Sequence, residues 1–280
     1  MSEMERLSRG TSSVRDSFQD DLENIVRAGH PDPFRILGPH WVERDGKRCL
    51  AIRAFRPGAE EAGVVWAASQ AVYPAPQIHP GGVFEAVLPP GIPDMREGEG
   101  IAPASYRLRF RFADGMRTET HDPYSFPPVL TDYDLYLFGE GTHYRNYERL
   151  GAHVREIDGV RGVHFGVWAP NAHRASVAGD FNSWDGRVHA MRSRGATGIW
   201  EIFVPGLDEG ALYKFEILSR FNSYLGLKSD PYGFTAELRP NNASVVCNID
   251  RYRWNDSAWL EARGIIPPVT VDIANDGCVV

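Results

Sequence analysis

Tyr106-Arg107-Leu108-Arg109-Phe110-Arg111-Phe112 alternates apolar and basic side chains residue by residue. Successive side chains of an extended chain point to opposite faces, so this run is a strand with one face for a core and one for water. Cys49-Leu50-Ala51-Ile52-Arg53-Ala54-Phe55 follows a similar pattern and stops at Arg56-Pro57. Between residues 48 and 250 short runs of this kind recur, bounded by Gly, Pro or Asp, and helical periodicity is nearly absent. Such runs build antiparallel sandwiches, so the predicted fold class is mainly β, of the immunoglobulin-like kind.

Outward from these strands the chain repeats itself. Phe55-Arg56-Pro57 returns as Trp168-Ala169-Pro170, and Phe84-Glu85-Ala86-Val87-Leu88-Pro89 as Trp200-Glu201-Ile202-Phe203-Val204-Pro205. Tyr106 returns as Tyr213, and His121-Asp122-Pro123-Tyr124 as Ser229-Asp230-Pro231-Tyr232. Four anchors in one order predict two tandem sandwiches. Ahead of them Phe18, Leu22, Ile25 and Val26 share one helix face, with Ser17 as N-cap, Gly29 as stop, and Pro31 and Pro33 barring continuation. The expected organisation is a disordered 1–16, a first sandwich with its short helix over 17–130, a linker over 131–160 and a second sandwich over 161–250.

Composition narrows the function classes. The 280 residues carry 30 Lys+Arg against 37 Asp+Glu, a formal charge of −7 with no basic cluster, which disfavours nucleic acid as a partner. Cys49, Cys247 and Cys278 are odd in number and far apart, so neither a disulfide framework nor a zinc site is expected, and a reducing cytosol fits. The nine histidines lack metal spacing, and no cofactor or metal is expected. No run approaches the roughly 18 apolar residues of a membrane span, and the polar N-terminus has no signal-peptide core, so no membrane partner is expected.

Gly179-Asp180-Phe181-Asn182-Ser183-Trp184 lies between a strand, 174–178, and the turn Asp185-Gly186. An indole exposed among polar neighbours suits a pyranose, whose C–H face is apolar and whose rim asks for hydrogen bonds. The commoner fate of a Trp is a place in the core, but Trp184 stands outside any alternating run, and Phe181 is the better core candidate. Lys214, inside Leu212-Tyr213-Lys214-Phe215-Glu216, must face away from Tyr213 and Phe215; spacing alone favours a solvated lysine there. Asn241 and Asn242 offer amides suited to vicinal hydroxyls, or simply form a turn. Asp180, Asp185, Glu201 and Glu216 are ordinary sheet-surface carboxylates, with no pair placed in a cleft.

At these residues the sequence resembles a known family. The Gly-Asp-Phe-Asn-x-Trp loop, the Tyr-Lys-Phe strand and the Asp-Pro-Tyr and Asn-Asn turns are similar to the family 48 starch- and glycogen-binding module. That resemblance implies glucan contacts from Trp184, Lys214 and one of Asn241 and Asn242, with Phe221 or Tyr224 as substitutes for a second aromatic platform. His30 to His40, Asp122 to Leu130, Asp134 to His143 and Arg253-Trp254-Asn255-Asp256 resemble the front end of bacterial glycogen branching enzymes, over roughly 17–263. The implied function is the non-catalytic N-terminal portion of a branching enzyme of glycogen biosynthesis, holding glycogen or α-1,4-glucan chains for a catalytic barrel. Such a barrel takes about 250 residues, whereas 17 follow Arg263, so 251–263 reads as the start of its connection and 264–280 as a tail outside the family pattern. The alternative is a pair of structural sandwiches that brace the barrel without binding sugar, leaving apolar surface around Tyr232, Phe234 and Trp254 to Leu260.

Overall fold

The computed structural model describes residues 17–44, 46–89, 101–222, 224–251 and 255–265, so the segment 1–16, Trp254, Cys278 and most of the 264–280 tail lie outside it. The chain divides into two compact units, one up to Cys247 and one from Asn248 on. The second holds a short turn at Ile249–Arg251 and a helix at Ser257–Ile265, where the Arg263 guanidinium lies 5.2 Å from the centre of the Trp259 ring. Everything else described here belongs to the first.

Helix α1 covers 17–26 and ends in a Schellman turn. Ala28, not Gly29, takes the left-handed position at φ 58°. The Gly29 N–H reaches back to Asn24 O (2.8 Å) and the Ala28 N–H to Ile25 O (3.1 Å). The expected apolar face is real: Leu22 and Ile25 are buried, with Phe18 and Val26 packed beside them.

The first sandwich pairs two antiparallel four-stranded sheets. One runs β1 (Gly38–Arg44), β2 (Lys47–Phe55), β6 (Val83–Leu88), β5 (Gln77–His79); the other runs β4 (Val72–Ala75), β3 (Ala59–Trp66), β7 (Tyr106–Phe112), β8 (Arg117–Thr120). Tyr106, Leu108 and Phe110 of β7 are buried against Leu50, Ile52, Ala86 and Leu88, as the alternation requires. On the outer side Arg107 and Arg109 pair with Glu119 of β8, and Arg111 with Glu60 and Glu61 of β3.

The second sandwich repeats the plan. One sheet runs β12 (Arg192–Ser193), β13 (Ile199–Pro205), β10 (Val160–Trp168), β9 (Gly151–Ile157); the other runs β11 (Ala172–Gly179), β14 (Leu212–Ser219), β17 (Ser244–Val245), β16 (Thr235–Ala236), with β15 (Leu225–Lys228) also on β14. Val163, Phe165, Ile202 and Val204 of the first sheet meet Val177, Tyr213 and Phe215 of the second. That core continues through Tyr124, Phe55 and Val83 to Leu22 and Ile25 of α1, so the two sandwiches and the helix share one apolar cluster.

The stretch read as a linker has structure of its own. Thr131 starts α2 (Asp132–Gly139) with a capping box: its hydroxyl accepts from Asp134 N–H (3.1 Å) while Asp134 Oδ2 accepts from Thr131 N–H (3.0 Å). Leu135 and Phe138 pack against Leu130, Leu150 and Ile199, while Tyr133 and Tyr136 stay exposed. With aromatics on both sides the helix has no clean apolar stripe, which is why periodicity did not reveal it. Past it, β9 pairs with β10 along its whole length, so the sheet of the second sandwich begins inside the stretch read as linker.

Candidate functional site

The Gly179-to-Trp184 segment leaves the end of β11, where Ala178 and Gly179 face Lys214 and Tyr213 of β14 across the ladder. Glycine is required at 179, because a Cβ there would sit 2.1 Å from the Leu212 carbonyl oxygen. Asp180–Asn182 form one 3-10 turn, and then Ser183 and Trp184 both adopt left-handed backbone, at φ 55° and 60°. Such angles are uncommon for any non-glycine residue and costly for a bulky one, so the loop must be held from outside.

Asn182 holds it. Its Oδ1 accepts from Gly179 N–H (2.9 Å), and its Nδ2 donates to Val177 O (2.9 Å) and to His189 Nδ1 (2.9 Å). Burial, and then the neighbouring Arg56 guanidinium, pull the His189 imidazole down to about 3, so it is neutral and free to accept on Nδ1. Trp184 N–H closes the loop on Gly179 O (2.9 Å), and the indole Nε1–H donates to Asp180 Oδ1 (2.8 Å). The indole is half-buried and its one polar atom is satisfied within the protein, so what it offers a ligand is apolar ring surface. Phe181 packs into the core beside Phe165 and His189, as expected.

Lys214 lies on the face of β14 opposite the buried Tyr213 and Phe215, and its Nζ donates to Asn242 Oδ1. Asn242 is anchored in turn by Ser229 Oγ, which donates to its carbonyl (2.6 Å). Asn241 goes elsewhere: its Nδ2 donates to Glu237 Oε1 (3.2 Å), while Glu237 Oε2 accepts from Ala243 N–H (3.0 Å). The structure thus joins Lys214 to Asn242 and separates Asn241 from both. Trp184 reaches neither by hydrogen bond among the described residues; it shares with them the end of the β11–β14 ladder. Sequence reasoning missed Asp180 as the partner of the indole, Asn182 as the clamp and Glu237 as the brace of the Asn-Asn turn. Asp180, four residues before Trp184 in a turn-forming stretch, was the readable signal.

Phe221 and Tyr224 stand at the tip of the β14–β15 hairpin, 78% and 55% exposed. Tyr224 lies across Gly226, where a Cβ would sit 2.5 Å from Tyr224 Cε1, and Lys228 Nζ lies 5.3 Å from its ring centre. The four carboxylates singled out from the sequence, Asp180, Asp185, Glu201 and Glu216, are each engaged. Glu216 pairs with Arg174 (2.7 Å), and Asp185 takes a two-pronged ion pair from Arg187. Burial pushes Asp185 upward, but the hydrogen bonds from Arg187 hold it below the usual carboxylate range. Glu201 is buried among His164 Nε2 (3.1 Å), Arg194 and the N–H groups of Val129 (2.9 Å) and Leu130 (3.0 Å). Against the upward push of burial, these donors hold it down to about 2. Among the described residues no group of three His, Cys, Asp or Glu could hold a metal ion, and no helix is long and apolar enough to cross a membrane.

Residues 149–233 match the family model of carbohydrate-binding module 48, the isoamylase N-terminal domain. Residues 18–124 match that of the N-terminal domain of the alpha-1,4-glucan branching enzyme GlgB. The fold is that of the accessory β-sandwich modules these two family models describe. Within that class the chain matches the N-terminal region of the GlgB branching enzymes. It is 50% identical over 246 residues to the 1,4-alpha-glucan branching enzyme GlgB of Rubrobacter xylanophilus, covering 88% of this chain and 32% of the relative. To the enzyme of the same name from Paramagnetospirillum magneticum it is 48% identical over 243 residues, 87% of this chain and 30% of the relative. The chain therefore spans about a third of the length of the curated relatives it matches. A crystal structure of pullulanase from Anoxybacillus sp. is similar at a TM-score of 0.31 and 16% identity, over 74% of this chain and 27% of that one.

Proposed function

We propose that the second sandwich holds α-1,4-glucan chains, glycogen or its oligosaccharides, at the end of the β11–β14 ladder. Trp184 supplies the apolar platform, and Lys214 and Asn242 supply the donors and acceptors for hydroxyls. Asn241 supports the turn through Glu237. The chain does not itself cut or transfer glucan; it serves the branching reaction of the GlgB relatives by raising glucan concentration beside a catalytic barrel. Its compartment is the cytosol, and the first sandwich, up to about residue 130, acts as the brace between glucan module and barrel.

The observation that carries this reading is the clamped loop. Two consecutive left-handed residues, one of them Trp184, lie in a loop clamped by the buried Asn182, which donates two hydrogen bonds and accepts a third. Strain retained at a half-exposed aromatic points to use of that aromatic. The test is affinity electrophoresis in a glycogen gel: the chain should be retarded, and Trp184→Ala, with an unchanged circular dichroism spectrum, should run as in a gel without glycogen. Equal retardation of the two would remove Trp184 from the site.

The bracing role has its own support. Phe234, Tyr133 and Tyr136 remain exposed, whereas Tyr232 packs on the Leu130 and Leu150 cluster. A chain that self-associates on gel filtration and ignores glycogen would favour bracing alone.

A further inference from the structure

The two sandwiches enclose a cleft of about 170 Å³ between β2, β7 and β8 of the first and the Phe181–His189 region of the second. This is many times the roughly 10–15 Å³ that one water needs. Phe55, Phe110 and Phe181 form apolar walls, and Arg56 and His189 bring polar groups to the same lining.

Arg56 is a half-buried guanidinium without a carboxylate in ion-pair range among the described residues; its side chain lies over the Phe112 ring at 5.6 Å. Its charge is costly in that position, and burial lowers its pKa. His189 is 8% exposed, and its Nδ1 is taken by Asn182, so the proton sits on Nε2. Among the described residues nothing accepts from that Nε2–H. Two further polar atoms of lining residues, Thr118 Oγ1 and His121 Nδ1, are buried with no partner. The carboxylates nearby are occupied: Asp185 by Arg187, and Asp122 by Tyr106 Oη (2.7 Å) and Tyr124 N–H (2.9 Å).

An unpaired guanidinium and an unused N–H donor, facing one cleft whose acids are already satisfied, suit a ligand rich in acceptor oxygens. We propose that the cleft between the sandwiches binds a small oxyanion, of the phosphate or carboxylate type, through Arg56 and His189. This site is separate from the glucan site, although Phe181 and His189 touch the base of the loop that carries Trp184.

The experiment is isothermal titration of the full 280-residue chain with inorganic phosphate, glucose 1-phosphate and malate, with glucose as the uncharged control. At least one oxyanion should bind and glucose should not. Preference among the three tells free phosphate from a phosphate ester or a carboxylate. Loss of one charge-assisted contact should weaken binding about tenfold or more in Arg56→Met, with Arg56→Lys between it and wild type. Trp184→Ala should bind the oxyanion unchanged. The proposal fails if none of the oxyanions binds at concentrations up to about 10 mM. It fails equally if glucose binds as well as glucose 1-phosphate, or if folded Arg56→Met binds like wild type. Should Arg56→Met not fold, amide shifts of the wild-type chain on phosphate titration decide: they must centre on Arg56, Asn182 and His189, and shifts confined elsewhere refute the site.

Discussion

Tyr213 donates its hydroxyl to Asp230 Oδ2 at 2.5 Å, and the same carboxylate's Oδ1 accepts from Tyr232 N–H at 2.7 Å. The first sandwich repeats the unit, with Tyr106 on Asp122 Oδ2 at 2.7 Å and Tyr124 N–H on Oδ1 at 2.9 Å. Each pins an Asp-Pro-Tyr turn to a core strand of its own sandwich, through a buried carboxylate. The repeat visible in the sequence is therefore a repeat of one hydrogen-bonded corner. Tyr213→Phe and Tyr106→Phe should each destabilise the chain by about 1–3 kcal/mol, because a buried carboxylate oxygen loses its donor. Urea midpoints measure this, and an effect on only one of the two would break the equivalence of the corners.

The buried carboxyls also set opposite pH dependences. Burial raises Asp122 to about 6, and the hydrogen bonds from Tyr106 and Tyr124 N–H offset only part of that. A carboxyl whose folded pKa lies above its unfolded value binds its proton more tightly in the native state. Its contribution is thus fully present below about pH 4 and is lost as pH rises through about 6. Glu201, held down to about 2, contributes stability above about pH 4.5 that is lost as pH falls through about 2. Denaturation followed from pH 2 to 7 should show both slopes. Asp122→Asn should flatten the upper window alone and Glu201→Gln the lower one alone.

Asn182→Ala removes the clamp and leaves the Gly179 N–H, the Val177 carbonyl and His189 Nδ1 short of partners. The expected cost is about 2–4 kcal/mol, with loss of glycogen retardation at temperatures where the chain stays folded. A variant that keeps full retardation would show that the loop's conformation does not matter to binding.

Lys214 is half-buried and Asn242 exposed, and the hydrogen bond between them is open to solvent, so Lys214→Met and Asn242→Ala should change stability by less than about 1 kcal/mol. Both should weaken glycogen retardation, and Asn241→Ala, which touches only the Glu237 brace, should do so much less. Equal losses for Asn241→Ala and Asn242→Ala would mean that the turn as a whole, not Asn242, meets the sugar.

The strands were legible because a sheet with one buried face writes its geometry into every second residue, as β7 does from Tyr106 to Phe112. Helix α1 was legible by its apolar spacing, its exact stop less so, since Ala28 occupies a backbone position that composition assigns to glycine. α2 was hidden because its stability comes from the Thr131–Asp134 cap and from contacts with Leu150 and Ile199, residues distant in sequence. At the candidate site Trp184, Lys214 and the Asn241–Asn242 pair were named through the family resemblance, since spacing alone favoured a solvated lysine at 214, and Glu237 could not be named, because nothing local marks a carboxylate as the brace of a turn.

Residue order alone determined the mainly β class, the tandem repeat and the exposure of a polar loop around Trp184, since each depends on alternation and turn chemistry within a few residues. Tertiary structure alone decided that Lys214 takes Asn242 and not Asn241, that Asn182 fixes the loop through His189, and that Arg56 and His189 line one cleft between the two sandwiches. Those pairings join segments up to 133 residues apart in sequence. Their partners are set by the packing of sheets on one another, which no local pattern records.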